Sequence, residues 1–181
     1  MKRIAPALVL LLGAAAFTAS LQAQQQAKSA TATYITEADV QATLNRAPEA
    51  AVNPQPNIRV VDTGGYNVAV GALHRPQKPP GVAAVHFKVT EIYHVIDGAG
   101  TLVTGGTMVN AKTRPPDSTA VKLEDGPGAS GTAIQGGVSR RIKAGDVVII
   151  PAGVPHWFSE IEGSITYLVV RVDPSRVLAV K

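Results

Sequence analysis

From residue 57 to residue 172 the chain is a succession of short β-branched runs, each closed within a few residues by Gly, Pro or Asp. Ile58–Val61, Asn67–Leu73, Val82–Val89, Ile92–Ile96 and Thr101–Val103 form the first half of the series. Arg141–Ile142, Asp146–Ile150, His156–Phe158 and Ile165–Val172 form the second. Runs of this length and composition read as strands, and many of them at close spacing predict an all-β sandwich or barrel. Parallel βαβ units need a long crossover, usually a helix, between strands, and no second helix of useful length is present. Asp97-Gly98-Ala99-Gly100 reads as a hairpin turn, with Gly98 supplying the positive φ that a primed turn requires.

What precedes this region divides in two. Lys2 and Arg3 are followed by an apolar run from Ile4 to Phe17 and a small-residue exit ending at Ala23. That order predicts a signal peptide over residues 1–23, cleaved near Ala23, and hence a periplasmic or secreted protein. The apolar run is too short for a comfortable membrane span, so no stable span is expected once it is removed. Residues 24–56 then form a leader containing one short helix. In that helix Thr36 caps, Asp39 stands at the third helical position, Val40, Ala42 and Leu44 follow, and Pro48 marks the limit. The domain proper is expected over residues 57–175.

Charge and cysteine content remove several function classes. The formal net charge is +4, and the two positive charges of Lys2 and Arg3 belong to the leader. No dense Lys/Arg run remains to follow a phosphate backbone, so nucleic-acid binding is not expected. There is no cysteine, which excludes disulfides, thiolate metal sites and cysteine nucleophiles. Between Asn110 and Gly137 the sequence is rich in Pro, Gly, Ser, Thr and Asp. It reads as a long surface excursion with one or two short strands, which either covers or edges a pocket or, the favoured reading, is tolerated because long loops add little closure entropy.

The candidate chemistry lies in two strand-and-turn segments, His86 to Gly98 and Gly145 to His156. Side chains alternate along a strand, so Glu91, Tyr93 and Val95 share one face while Ile92, His94 and Ile96 share the other. If Val95 faces the core, Glu91 does too, and an inward carboxylate must be paired or bound to a metal. A hairpin near Thr90 would set His86 on the same wall. His156 follows the stiff loop Pro151-Ala152-Gly153-Val154-Pro155 into another strand. Two imidazoles and one carboxylate form a competent set for a mononuclear divalent metal with open positions.

These segments resemble the two motifs of the cupins, and the resemblance covers most of residues 57–172. The first cupin motif runs Gly, five residues, His-x-His, three or four residues, Glu, six residues, Gly; His86, Glu91 and Gly98 match it. The second runs Gly, five residues, Pro-x-Gly, two residues, His, three residues, Asn; Gly145, Pro151, Gly153 and His156 match it in register. Three positions depart: Lys78 stands at the leading Gly, Ala84 at the first His, and Glu160 at the closing Asn. The resemblance implies a cupin double-stranded β-helix, or jelly-roll barrel, with one short N-terminal helix. It also implies a three-ligand site of His86, Glu91 and His156 for Fe, Mn, Zn or Ni.

The remaining candidates are secondary. His94 falls on the face opposite Glu91 and reads as an outward residue, and His74 reads as a surface residue at a strand end. Tyr93 could act as an acid or an orienting group beside Glu91. Phe158 shares the face of His156, Trp157 takes the other, and Arg140 and Arg141 read as a solvated pair. Ile58–Val61 could join a partner's sheet in a homodimer, which the resemblance favours, or close the chain's own barrel edge. Two functions follow. One is a metal-dependent oxygenase, isomerase or decarboxylase acting on a small oxygenated molecule. The other is a metal-free module that binds a sugar or an acid, and fold alone does not choose between them.

Overall fold

The computed structural model describes residues 30–46, 56–77 and 81–181; the signal-peptide expectation for residues 1–23 lies outside them. The helix forms as its sequence dictates. α1 spans Glu37–Arg46, the Asp39 amide donates to Thr36 Oγ1 at 3.2 Å, and the Thr36 amide donates to Asp39 Oδ2 at 2.9 Å. This reciprocal capping satisfies backbone donors that the first turn would otherwise leave free. No residue of α1 is fully buried, although Val40, Ala42 and Leu44 are partly covered.

Eleven strands follow among the described residues, and every pairing between them is antiparallel. They are β1 (Asn57–Asp62), β2 (Asn67–Pro76), β3 (Ala83–His86), β4 (Thr90–Thr104), β5 (Thr107–Val109) and β6 (Lys112–Thr113). β7 (Gly128–Gly131), β8 (Ala133–Gln135), β9 (Val138–Lys143), β10 (Val147–Ile150) and β11 (His156–Asp173) complete the set. β4 and β11 lie side by side along nearly their whole lengths, from His156 opposite Thr104 to Val172 opposite Thr90. β2 flanks β11, while β10 and β9 flank successive halves of β4. β1 pairs with β2 of the same chain, so Ile58–Val61 extends the chain's own sheet.

The long strands correct the sequence reading in one respect. Asp97–Gly100 is not a hairpin: β4 runs straight through it. Gly98 does adopt a positive φ of 76°, but it uses that conformation to absorb a bulge, where the β11 register slips between Glu162 and Ile165. A Cβ on Gly98 would stand 1.9 Å from the Ser164 carbonyl oxygen. The glycine is therefore required by a close strand approach that bends the pair, as bulges do. Ile92–Ile96 and Thr101–Val103 are consequently one strand, as are His156–Phe158 and Ile165–Val172.

The alternation along β4 places Glu91, Tyr93 and Val95 inward and His94 and Ile96 outward, as the period-two pattern requires. Tyr93, Val95, Phe158, Ile165, Tyr167 and Val169 pack into the main core. Tyr93 and Tyr167 meet at 4.5 Å between ring centroids, and Phe158 stacks on Tyr93 at 6.5 Å. On the other side of β11, Trp157 packs with Val103, Ala83 and Ile134 under the small β5–β8 sheet. Phe158 and Trp157 thus face opposite ways, and His156 shares the interior with Phe158.

The 110–137 excursion is more structured than its composition suggests. It contains β6, β7, β8 and one π-type turn, Ala120–Glu124, closed by the Asp125 amide on the Ala120 carbonyl at 2.7 Å. β7 pairs with β3, placing Gly128 directly opposite His86. Of the two readings of this segment, the pocket-edge one describes it better than the merely tolerated loop, because β7 lies against β3 beside His86.

Candidate metal centre

Three different strands deliver the three candidate ligands. His86 ends β3, Glu91 lies at the start of β4, and His156 opens β11. The expected hairpin between His86 and Glu91 is absent. β3 pairs with β7 and β11 and not with β4, so residues 87–89 pass between separate ladders. The loop before His156 is docked on both of the other segments. The Gly153 amide donates to the His86 carbonyl at 2.7 Å, and the Ala152 amide donates to Thr90 Oγ1 at 3.2 Å. Gly153 holds a φ of 83°, which a side chain would disfavour, and the two flanking prolines stiffen the approach.

The side chains converge in the interior. His86, Glu91 and His156 are 4 %, 1 % and 6 % exposed, and one ligand atom from each lies within 4.8 Å of the other two. Both Nε2 atoms stand 3.4 Å from Glu91 Oε2. Two ligands at roughly 2.1 Å from one ion, subtending about a tetrahedral angle, are separated by about this distance. The sequence-predicted trio is therefore brought together. His74 and His94 are not part of it: both are exposed, and His74 Nδ1 meets Thr166 Oγ1 at 2.8 Å. Arg141 forms a bidentate surface pair with Glu162 at 2.6 and 2.7 Å.

Glu91 is held from both sides. Arg171 Nε donates to Oε1 at 2.8 Å, and the Tyr93 hydroxyl donates to Oε2 at 2.9 Å. Burial by itself would raise the Glu91 pKa, but the His86 ring and the Arg171 guanidinium outweigh it and hold the carboxyl well below its usual range. Glu91 is thus an ionised carboxylate with Oε1 already engaged and Oε2 turned toward the imidazoles. Tyr93 is pushed well above the ordinary phenol range by burial and by the adjacent carboxylate. It stays protonated and orients Glu91.

Arg171, which the sequence reading passed over, is the hub behind the ligands. It is fully buried, and besides Glu91 it donates from Nη1 to Asn57 Oδ1 at 2.7 Å and from Nη2 to Asp125 Oδ1 at 2.9 Å. Asn57 in turn donates to the Leu123 and Glu124 carbonyls. Arg114 reaches the same cluster from the excursion, with Nη1 3.5 Å from Asp125 Oδ2 and 3.3 Å from His86 Nδ1. Arg171 had a signal: alternation along Ile165–Val172 puts it on the face of Tyr167 and Val169, and an inward arginine needs buried partners. Asp125 and Arg114, in a Gly/Pro-rich stretch, had none.

His156 Nδ1 stands 3.2 Å from the Val154 carbonyl. A carbonyl only accepts, so Nδ1 carries the proton and Nε2 presents its lone pair to Glu91 Oε2. Burial lowers the His156 pKa to about 4, Glu91 offsetting only part of that effect. Two acceptors, the His156 lone pair and the Glu91 carboxylate, therefore face each other in a dry interior, and a cation between them satisfies both. The residues fit a divalent metal.

The depressed His156 pKa has a pH consequence in the metal-free protein. The unfolded chain takes up a proton near pH 6.5 and the folded chain only near pH 4, so between those values the unfolded state binds more protons and stability falls as pH falls. Full stability is expected above pH 6.5, with a loss of roughly 3 kcal/mol by pH 4. Denaturant melts across this window check the limb, and His156→Gln should flatten it.

Residues 62–176 match the family described as Cupin. The chain belongs to the cupin family, and its antiparallel barrel is a cupin barrel. No curated protein matches the chain. Among solved structures it is similar to a Bacillus halodurans protein, at 12 % identity over 83 % of this chain and 93 % of that one, with a TM-score of 0.43. It is also similar to hydroquinone 1,2-dioxygenase from Sphingomonas sp. TTNP3, at 16 % identity over 73 % of this chain and 72 % of that one, TM-score 0.43. A third likeness is to oxalate oxidase, at 20 % identity over 72 % of this chain and only 57 % of the other, TM-score 0.44. At these identities and scores the neighbours say nothing about the reaction.

Proposed function

We propose that this chain is an exported metal-dependent cupin in which His86, Glu91 and His156 hold one divalent ion and a small oxygenated molecule completes its coordination. The observation that supports it is the convergence of three buried donors, from three separate strands, around Glu91 Oε2. Fe, Mn, Zn and Ni all suit this ligand set. The basic, apolar and small-residue order of residues 1–23 supports export.

Ala84 supports an open coordination side. It lies opposite His156 in the β3–β11 register and two residues before His86, hence on the same face, and it is only partly buried. Where other cupins place a histidine, this chain has a methyl group, so one coordination position is left without a protein donor. A bound metal supplies Lewis acidity at this point and, if iron, dioxygen chemistry. The chain's own residues do the rest. Arg171 occupies Glu91 Oε1 so that Oε2 serves the ion, Tyr93 fixes the carboxylate plane, and the Val154 carbonyl sets the His156 tautomer. Such supporting hydrogen bonds orient ligands and raise their basicity.

The metal-free binding module is favoured by one observation. His86 Nδ1 lies within reach of Arg114, which can only donate, so the site also has a hydrogen-bonded arrangement that needs no ion. Equilibrium dialysis against Fe(II), Mn(II), Zn(II) and Ni(II) in turn, with metal counted per untagged chain, separates the readings. One equivalent of at least one metal is expected, with near-complete loss in Glu91→Gln. Retention of none of the four by the parent would leave the binding-module reading.

A further inference from the structure

The hydrogen-bond partners of the two histidines call for opposite tautomers, Arg114 on the excursion facing His86 Nδ1 and the Val154 carbonyl facing His156 Nδ1. Arg114 follows β6, and its amide donates to the Gly128 carbonyl at 2.9 Å. Its side chain donates from Nε to Ser130 Oγ at 3.1 Å, and Nη1 reaches His86 Nδ1 at 3.3 Å. The space for it is made by Gly128, opposite His86 in the β3–β7 register. A Cβ at position 128 would stand 3.1 Å from Arg114 Nη1 and 2.1 Å from the Val85 carbonyl oxygen. The guanidinium is permanently protonated and has no acceptor, so His86 Nδ1 must accept. A neutral His86 then carries its proton on Nε2, the nitrogen 3.4 Å from Glu91 Oε2. His156 is the reverse, with Nδ1–H on the Val154 carbonyl and a free Nε2 lone pair.

We propose that Arg114 opposes metal binding at this site by holding His86 in the tautomer whose ligating nitrogen is blocked by a proton. The inference rests on the metal-site reading of His86, Glu91 and His156. To ligate through Nε2, His86 must give up the Nε2 proton and take one at Nδ1, so the ring stays neutral and no net proton is released. Arg114 Nη1 and His86 Nδ1–H then become two donors facing each other, and the guanidinium must withdraw. Asp125 Oδ2, already 3.5 Å from Nη1, is the acceptor it withdraws to. Metal-ligating histidines ordinarily give their second N–H to an acceptor; here a donor occupies that place. Arg114 is thus a positioning residue that sets how tightly the site holds its metal, and it acts through His86.

The test has two arms on untagged protein. In the first, nitrogen-15 NMR of the imidazoles reads tautomers in the metal-free wild-type chain near neutral pH. His86 is expected as Nε2–H and His156 as Nδ1–H, and one equivalent of zinc should convert His86 to Nδ1–H. A metal-free His86 already in the Nδ1–H form would overturn the proposal without any variant. In the second arm, zinc affinity is compared among wild type, Arg114→Lys and Arg114→Gln. The glutamine offers Nδ1–H an acceptor and should tighten zinc by about 10–100-fold, the scale of partners behind metal ligands. The lysine, still a pure donor, should stay within a few-fold of wild type. A merely structural arginine predicts that both variants weaken zinc, and that result, or equal affinity in all three, would contradict the inference while leaving the metal site standing. Should the wild type retain another of the four metals instead of zinc, both arms are read with that metal; if neither the wild type nor Arg114→Gln holds any of the four, the proposed function fails and this inference falls with it.

Discussion

Replacing Arg171 with methionine is expected to remove about 3–5 kcal/mol of folding stability, the largest loss predicted for a single side chain here. The guanidinium is completely buried and engages Glu91, Asp125 and Asn57 at 2.7–2.9 Å. Methionine fills much of the volume, so packing is a minor part of the change. What remains is two carboxylates, 1 % and 2 % exposed, without their shared cation, Asp125 keeping only the more distant Arg114. Uncompensated buried charge costs far more than the intact pair contributes. Arg171→Lys keeps the charge but cannot serve three partners in a planar fork, so it should fall between the two. Urea midpoints with unchanged slopes measure the effect. A methionine variant as stable as the parent would mean that the cluster is not the electrostatic unit described above.

Restoring a histidine at position 84 has the opposite sign. Ala84→His is expected to tighten zinc by about tenfold or more, which requires only ~1.4 kcal/mol from a fourth ligand. The position is opposite His156 and shares the face of His86, so the new imidazole starts from the correct wall. Competition with a chromophoric chelator reads the shift. The same substitution should obstruct any small molecule that uses that side of the metal. Unchanged or weakened affinity would show that a side chain at position 84 does not reach the ion.

The strands and the inward positions of Glu91 and His156 were legible because they depend on local rules, whereas His86 joins them without the hairpin expected near Thr90. Period-two alternation places Glu91 and Tyr93 inward and His94 outward, and the rigid Pro151–Pro155 loop aims His156. Gly98 shows where local rules stop. Its positive φ was readable, but a glycine that ends a hairpin and one that relieves a bulge look alike in sequence. Only the partner strand, with Ser164 pressed against the position, distinguishes them. The excursion was misjudged for a related reason. Composition says that Asn110–Gly137 is turn-rich, and says nothing about Asp125 and Arg114 meeting Arg171 and His86 from far along the chain. Arg171 itself was within reach, because an arginine at an inward position of a strand needs buried counter-charges.

Those counter-charges also explain how the trio survives burial. Glu91 stays ionised because the His86 ring and the Arg171 guanidinium favour its charged form against the cost of burial, and Asp125 balances Arg171 in turn. The ligands are therefore preset by a polar layer that the excursion completes, and the excursion supplies the arginine that restrains His86.

The X-ray absorption spectrum of the zinc-loaded protein at the zinc edge tests the central claim most directly. One zinc per chain is expected, with two imidazole nitrogens at roughly 2.0–2.1 Å and the rest of the shell made of oxygen. Glu91→Gln should abolish the signal. A spectrum without two-histidine scattering, or loss of zinc and of the other three metals alike on buffer exchange, would contradict a metal centre built from His86, Glu91 and His156.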